Sequence, residues 1–323
     1  MLSQRFILYF TIVCVVLILS CAQLFGRQFS FVREGRRDST VTSQRSRVDR
    51  ASADSLLWTL HKPRPLKWHS MITNLPGDWA RFYEEKFQLG SIPKLAGISA
   101  LTAGLMLTDK QSYEVSDRWY KRSHVTSEVS NLFVAMGDGT SQFGLAGAFA
   151  AYGLVKGDDR ALRTGSEIAE AVLASGAVVQ VLKHLTGRES PFVRSSPTGV
   201  WKFFPNQIAY HKHVPAYDAF PSGHICTSLA TVVVIAENYP DTKWIQPVGY
   251  VLTGLVGVSM VNRGIHWYSD YPLGLALGYA FGAIAAHHDG LPFDGSGERG
   301  RSSLTFSPMA YRGKVGLSMA FRF

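Results

Sequence analysis

At 323 residues, 46% of them hydrophobic and 18% charged, the chain can form one sizeable core with terminal additions and has the apolar share of a globular protein. Its net charge of +9 is concentrated between Arg27 and Lys67, a run without an aromatic stacking platform or binding motif, which argues against a nucleic-acid partner. With Cys14, Cys21 and Cys226 as the only cysteines, no disulfide framework is expected.

In chain order, Arg5 precedes an apolar run over 6–19, and small residues follow at Ser20 and Ala22, the pattern of an export signal. Ile18-Leu19-Ser20-Cys21 also resembles a lipobox, which makes Cys21 a lipidation candidate; the alternatives are an uncleaved anchor or cleavage near Gly26. Residues 1–21 are therefore expected to be a signal peptide or lipoprotein signal, and 22–77 a basic linker. That linker reads as a solvated segment or as a tether on anionic lipid headgroups.

A helical domain is expected over 78–290. Asp78 can cap a helix over 79–87, and Ser91 with Pro93 can open the next, to about Thr108. A polar connection is expected from Asp109 to Ser123, then a helix over 125–136 that Gly137-Asp138-Gly139 breaks. Apolar stretches follow at 143–155, 168–182, 225–235, 248–261 and 272–286. The core shows no alternating strand pattern, so the fold class is all-α, a helical bundle. These stretches fall short of the roughly twenty residues that a membrane span needs and read as buried core helices, the alternative being spans in lipid, where the glycine- and alanine-rich run 274–286 would suit close helix contacts.

The tail, 291–323, changes period: Val315, Leu317, Met319, Phe321 and Phe323 alternate with small or polar residues, and Tyr311-Arg312-Gly313-Lys314 can turn the chain. A C-terminal β-hairpin is expected there. Cys226 lies in an apolar helix and reads as a buried small hydrophobe. His211 and His213 lack a third ligand at suitable spacing, so no metal site is expected.

The chemistry concentrates in three segments. Phe220-Pro221-Ser222-Gly223-His224 runs into an apolar stretch, so it marks a helix N-terminus whose free amides and dipole favour an anion. There Ser222 can donate a hydroxyl, Gly223 lets backbone approach an oxyanion, and His224 can move a proton. The i, i+4 spacing of His266 and Asp270 would set both on one helix face, with the carboxylate orienting the ring and one ring nitrogen left as nucleophile. Upstream, Lys183 closes an apolar helix and leads into Gly187-Arg188-Glu189-Ser190-Pro191, a loop suited to phosphate oxygens.

These residues resemble the type-2 phosphatidic acid phosphatase and vanadium haloperoxidase superfamily, whose signature is Lys-x6-Arg-Pro, Pro-Ser-Gly-His and Ser-Arg-x5-His-x3-Asp. The resemblance covers about residues 90 to 290. It retains Lys183, Pro191, the whole second motif, Ser259, His266 and Asp270, but replaces both signature arginines, by Ser190 and Met260. The family holds phosphoryl oxygens with those arginines. Two lost contacts of about 1.5 to 3 kcal/mol each correspond to roughly two to four orders of magnitude in rate. Arg188 and Arg263 stand close enough in sequence to supply replacement guanidinium groups.

The resemblance implies a phosphatase that hydrolyses a phosphomonoester or diphosphate, in particular a lipid phosphate, through a phosphohistidine, without a cofactor or metal. His266 would attack, Asp270 orient, His224 carry the proton, and Lys183, Ser222, Gly223, Arg188 and Arg263 bind phosphate. Two alternatives stand: a weakened or silent envelope protein on the same fold, and a haloperoxidase, which would need vanadate. The expected partners are the phosphoester and a membrane surface, and the expected place is the cell envelope, exported and facing the periplasm.

Overall fold

The computed structural model describes residues 70–287, Leu89 by its backbone alone, and the backbone of 303–311 and 314–322. The readings for 1–21, for Cys21 and for nearly all of the basic linker lie outside the described residues. The chain divides into two compact units, Met1–His288 and Asp289–Phe323.

The first unit is all-α in its described residues apart from isolated bridges. Its helices are α1 (Ser70–Thr73), α2 (Leu75–Lys86), α3 (Ile92–Met106), α4 (Asp109–Tyr120), α5 (His124–Gly137) and α6 (Gly139–Lys156). They continue as α7 (Asp159–Thr186), α8 (Gln207–Lys212), α9 (Gly223–Asn238), α10 (Ile245–Asn262) and α11 (Tyr271–Ala286). Local chemistry sets most boundaries. Ser123 and Thr126 form a capping box at α5, and Asp138 and Asp158 accept backbone N–H groups at the starts of α6 and α7. Gly187 ends α7 with φ +55°, and a Cβ there would lie 2.1 Å from the Lys202 carbonyl oxygen, so glycine alone fits this turn.

Three expectations are corrected. Asp78 is no cap: α2 begins at Leu75 with Pro76 in its first turn, and Asp78 is buried in that turn. The segment after Asp109 is a helix, not a connection. The apolar stretches are also longer than read, because polar residues extend them. α7 runs for 28 residues and α10 for 18, and both are long and apolar enough to cross a membrane.

The core lies where α7, α9 and α11 meet. Ile168, Ala171 and Val172 of α7 pack with Ala230 and Val234 of α9 and Ala285 of α11. Ala174 and Val179 continue that seam with Cys226, Leu277 and Phe281. Glycine permits the close approach of α9 and α11: a Cβ at Gly274 or Gly278 would stand 2.7 or 2.3 Å from the carbonyl oxygen of Ser222 or Cys226. The Pro-Ser-Gly-His turn is thereby drawn against the start of α11.

In the second unit, β1 (Ser303–Tyr311) pairs antiparallel with β2 (Lys314–Arg322), from Ser303 opposite Arg322 to Tyr311 opposite Lys314. The hairpin expected at Tyr311-Arg312-Gly313-Lys314 has this register.

Candidate active site

Ser222 is the N-cap of α9; its side chain is buried and accepts from the Ile225 N–H at 3.5 Å. Its own N–H donates to the Asp270 carbonyl at 3.0 Å, which joins the second motif to the third through the backbone. Gly223 and His224 form the first turn, where backbone N–H groups lack helical acceptors.

His266 does not lie on a helix. It sits in the extended stretch before a 3₁₀ turn, Tyr268–Asp270, so the expected shared helix face with Asp270 is replaced by a tight turn. Its Nδ1 lies 2.7 Å from the carbonyl oxygen of Ala219. A carbonyl oxygen can only accept, so Nδ1 carries the proton and the neutral ring keeps its lone pair on Nε2. That Nε2 is buried and has no hydrogen-bond partner. The ring of His224 faces it in a T-shaped arrangement, with centroids 5.6 Å apart.

The orienting role expected of Asp270 is therefore taken by the Ala219 carbonyl. Asp270 stands 3.6 Å from His266 Nδ1, while its oxygens accept from the Trp267 N–H at 2.7 Å and from Arg188. Its fully buried carboxylate fixes the backbone that carries His266.

Arg188 likewise differs from expectation. It is fully buried, and its terminal nitrogens are directed at carboxylates. Nη1 donates to Asp270 and to Ser269 Oγ (2.7 Å), and Nη2 donates to Asp109 (2.7 Å) and the Thr198 carbonyl (3.2 Å). The indoles of Trp201 and Trp267 flank the guanidinium, with centroids 4.9 and 5.4 Å away. Burial pushes the Asp109 carboxyl above 3.8, although hydrogen bonds from Ser269 and the charge of Arg188 oppose the shift. Arg263 donates to Asn131 of α5. Met260 is buried among Ile225, Val256, Val261 and Tyr271, an apolar environment, and Ser190 is buried with its N–H on the Pro215 carbonyl.

Lys183, near the end of α7, has its ammonium 3.4 Å from the Asp218 carboxylate, and its side chain is only 8% exposed. Burial lowers the pKa of His224 well below 6.5, and electrostatic interaction with the neighbouring His266 ring and the Lys183 ammonium acts in the same direction. Glu189 has its own role: despite burial, hydrogen bonds from Ser195, the Val200 N–H and Lys202 hold its carboxyl below 4.5 and fold the loop over the third motif. Sequence reasoning missed Asp109, Asp218, Ala219, Ser269 and both flanking indoles. Ser269 and Trp267 lie inside the third motif, but Asp109 carries no local signal.

A helix start with free amides, a histidine held by a backbone carbonyl and a facing histidine thus meet within an α-helical bundle. Residues 165–289 match the family model of the PAP2 superfamily. Two curated relatives are each named lipid A 1-phosphatase. The Porphyromonas gingivalis protein is 30% identical over 70 residues, 21% of this chain and 16% of that protein. The Rhizobium etli protein is 29% identical over 123 residues, 38% of this chain and 49% of that protein. The chain thus spans half or less of the length of these relatives. A solved transmembrane PAP2 type phosphatidylglycerolphosphate phosphatase from Bacillus subtilis is similar at 16% identity, covering 61% of this chain and 94% of that one, with a TM-score of 0.44.

Proposed function

We propose that this chain is a membrane-associated phosphatase that removes a phosphoryl group from a lipid phosphate by way of a phosphohistidine at His266. The observation that carries the reading is the unpartnered, buried Nε2 of His266, held by the Ala219 carbonyl and facing His224. Lys183 and the amides at Gly223 and His224 neutralise the phosphoryl oxygens. Nε2 attacks phosphorus, the bond to the leaving oxygen breaks, and His224 gives that oxygen its proton. Water then attacks the phosphohistidine, His224 takes a proton from it, and inorganic phosphate leaves with Nε2 restored.

Lipid as the substrate class is supported by the names of the two relatives and by the apolar surface. Along α10, Val248, Val251, Leu255 and Val258 are exposed on one side, and α3 exposes Ile92, Leu95 and Leu101. Such contiguous apolar faces suit a bilayer. Location in the cell envelope, facing the periplasm, is part of the same proposal.

The second reading, a silent protein on the same fold, is favoured by one observation: Arg188 and Arg263 are both engaged elsewhere, which leaves Lys183 as the cation of the site among the described residues. The same donor set does not fit a tightly held vanadate. A phosphate-release assay on the purified chain with lipid phosphates and para-nitrophenyl phosphate decides between the readings. The parent should turn over and His266→Ala should not; equal release by both would end the phosphatase reading.

A further inference from the structure

Lys183, the cation available for phosphate, is not free. Its ammonium rests 3.4 Å from Asp218, on the strand-like stretch that also carries Ala219. That stretch is fixed: residue 218 bridges to Arg188, and the Ala219 N–H donates to the Arg188 carbonyl at 3.0 Å. Asp218 therefore stands one residue from the carbonyl that orients His266. A phosphoryl group that takes Lys183 must leave this carboxylate beside a second anion, and Arg188 is already committed to Asp109 and Asp270.

We infer that Asp218 is a specificity-determining residue: it holds Lys183 in the empty site and selects phosphate esters that carry a hydroxyl or amine donor next to the phosphoryl group, which replaces Lys183 on the carboxylate. The inference rests on the phosphatase reading above and names its substrate class. The physical reason is an exchange of partners. A carboxylate that loses its ammonium without replacement stays unpaired beside an incoming anion, whereas a neighbouring hydroxyl or amine keeps it hydrogen-bonded. The Asp218 side chain is 29% exposed, so a bound ester can reach it. An ester without such a donor therefore leaves the carboxylate without a replacement for Lys183.

The test uses the full chain, its Asp218→Asn variant and its Lys183→Ala variant, with folding checked by thermal melting. Binding of inorganic phosphate is measured by calorimetry, and kinetics are compared for phenyl phosphate, which has no neighbouring donor, and glucose 1-phosphate, which has one. A hydrogen bond to a charged group corresponds to roughly tenfold or more in affinity. Asp218→Asn should tighten phosphate binding and lower KM for phenyl phosphate by about that factor, with kcat little changed. It should also shrink the preference for glucose 1-phosphate. Unchanged binding and unchanged preference in Asp218→Asn, with weakened binding in Lys183→Ala, would overturn the inference and leave the phosphatase reading standing. Undiminished phosphate binding in Lys183→Ala would overturn both.

Discussion

His266 donates its Nδ1 proton to the carbonyl oxygen of Ala219 at 2.7 Å, while Asp270 stands 3.6 Å from the same nitrogen. The tautomer is thus fixed by the backbone two residues ahead of the Pro-Ser-Gly-His turn. Asp270→Asn should retain the orientation of the ring and lose less phosphate release than His266→Ala. It should nonetheless lower stability by about 1–3 kcal/mol, because Arg188 loses one charged partner. Parallel measurement of turnover and thermal unfolding for the two variants separates these effects.

Arg188 is the hub of the buried network. Arg188→Ala leaves Asp109 and Asp270 buried without their cation and should cost about 3–5 kcal/mol in denaturant unfolding. Arg188→Lys should not restore the parent, since a point charge cannot span Asp109, Ser269, Asp270 and the Thr198 carbonyl as the planar fork does.

The contact of α9 with α11 depends on glycine. Gly278→Ala places a methyl 2.3 Å from the Cys226 carbonyl oxygen, so the helices must separate, at about 1–3 kcal/mol and with reduced turnover. Gly97, in α3, meets nothing within 4 Å of its Cβ position, and Gly97→Ala should stabilise by about 0.5–1 kcal/mol. Melting curves of the pair check the contrast.

A His224 pKa well below 6.5 makes its acid form scarce at neutral pH. If His224 protonates the leaving group, kcat/KM should rise as the pH falls toward that value, and His224→Asn should remove this dependence. Stability runs the other way. Below 6.5 the unfolded chain takes up the proton before the folded chain does, so folding weakens as the pH falls. A pH series of melting curves should show this loss in the parent and less of it in His224→Asn.

Restoring a signature arginine at Met260 should fail. The site is fully buried among apolar side chains, so Met260→Arg buries a charge without a partner and should cost about 3 kcal/mol or more, with no gain in phosphate release. Denaturant titration and the release assay read the two outcomes.

Much of this was legible locally. The helix start at Ser222 and the break at Gly137-Asp138-Gly139 follow from residues that act on their own helix ends, whereas the caps at Ser123 and Asp158 were not read. Helix lengths were less legible, because polar residues such as Glu167 and Glu170 continue α7 while facing the interior. Asp109 could not be found: it meets Arg188 across 79 residues, and no periodicity encodes that contact.

The sequence by itself determined the all-α class, the three motif segments and the loss of both signature arginines, because residue types and their spacing carry those facts. Only the tertiary structure decided which groups meet. It gave His266 the Ala219 carbonyl, turned Arg188 toward Asp109 and Asp270, and set Asp218 on Lys183. In a buried site each polar atom bonds to whatever partner the packing brings within about 3 Å, and sequence spacing does not specify that partner.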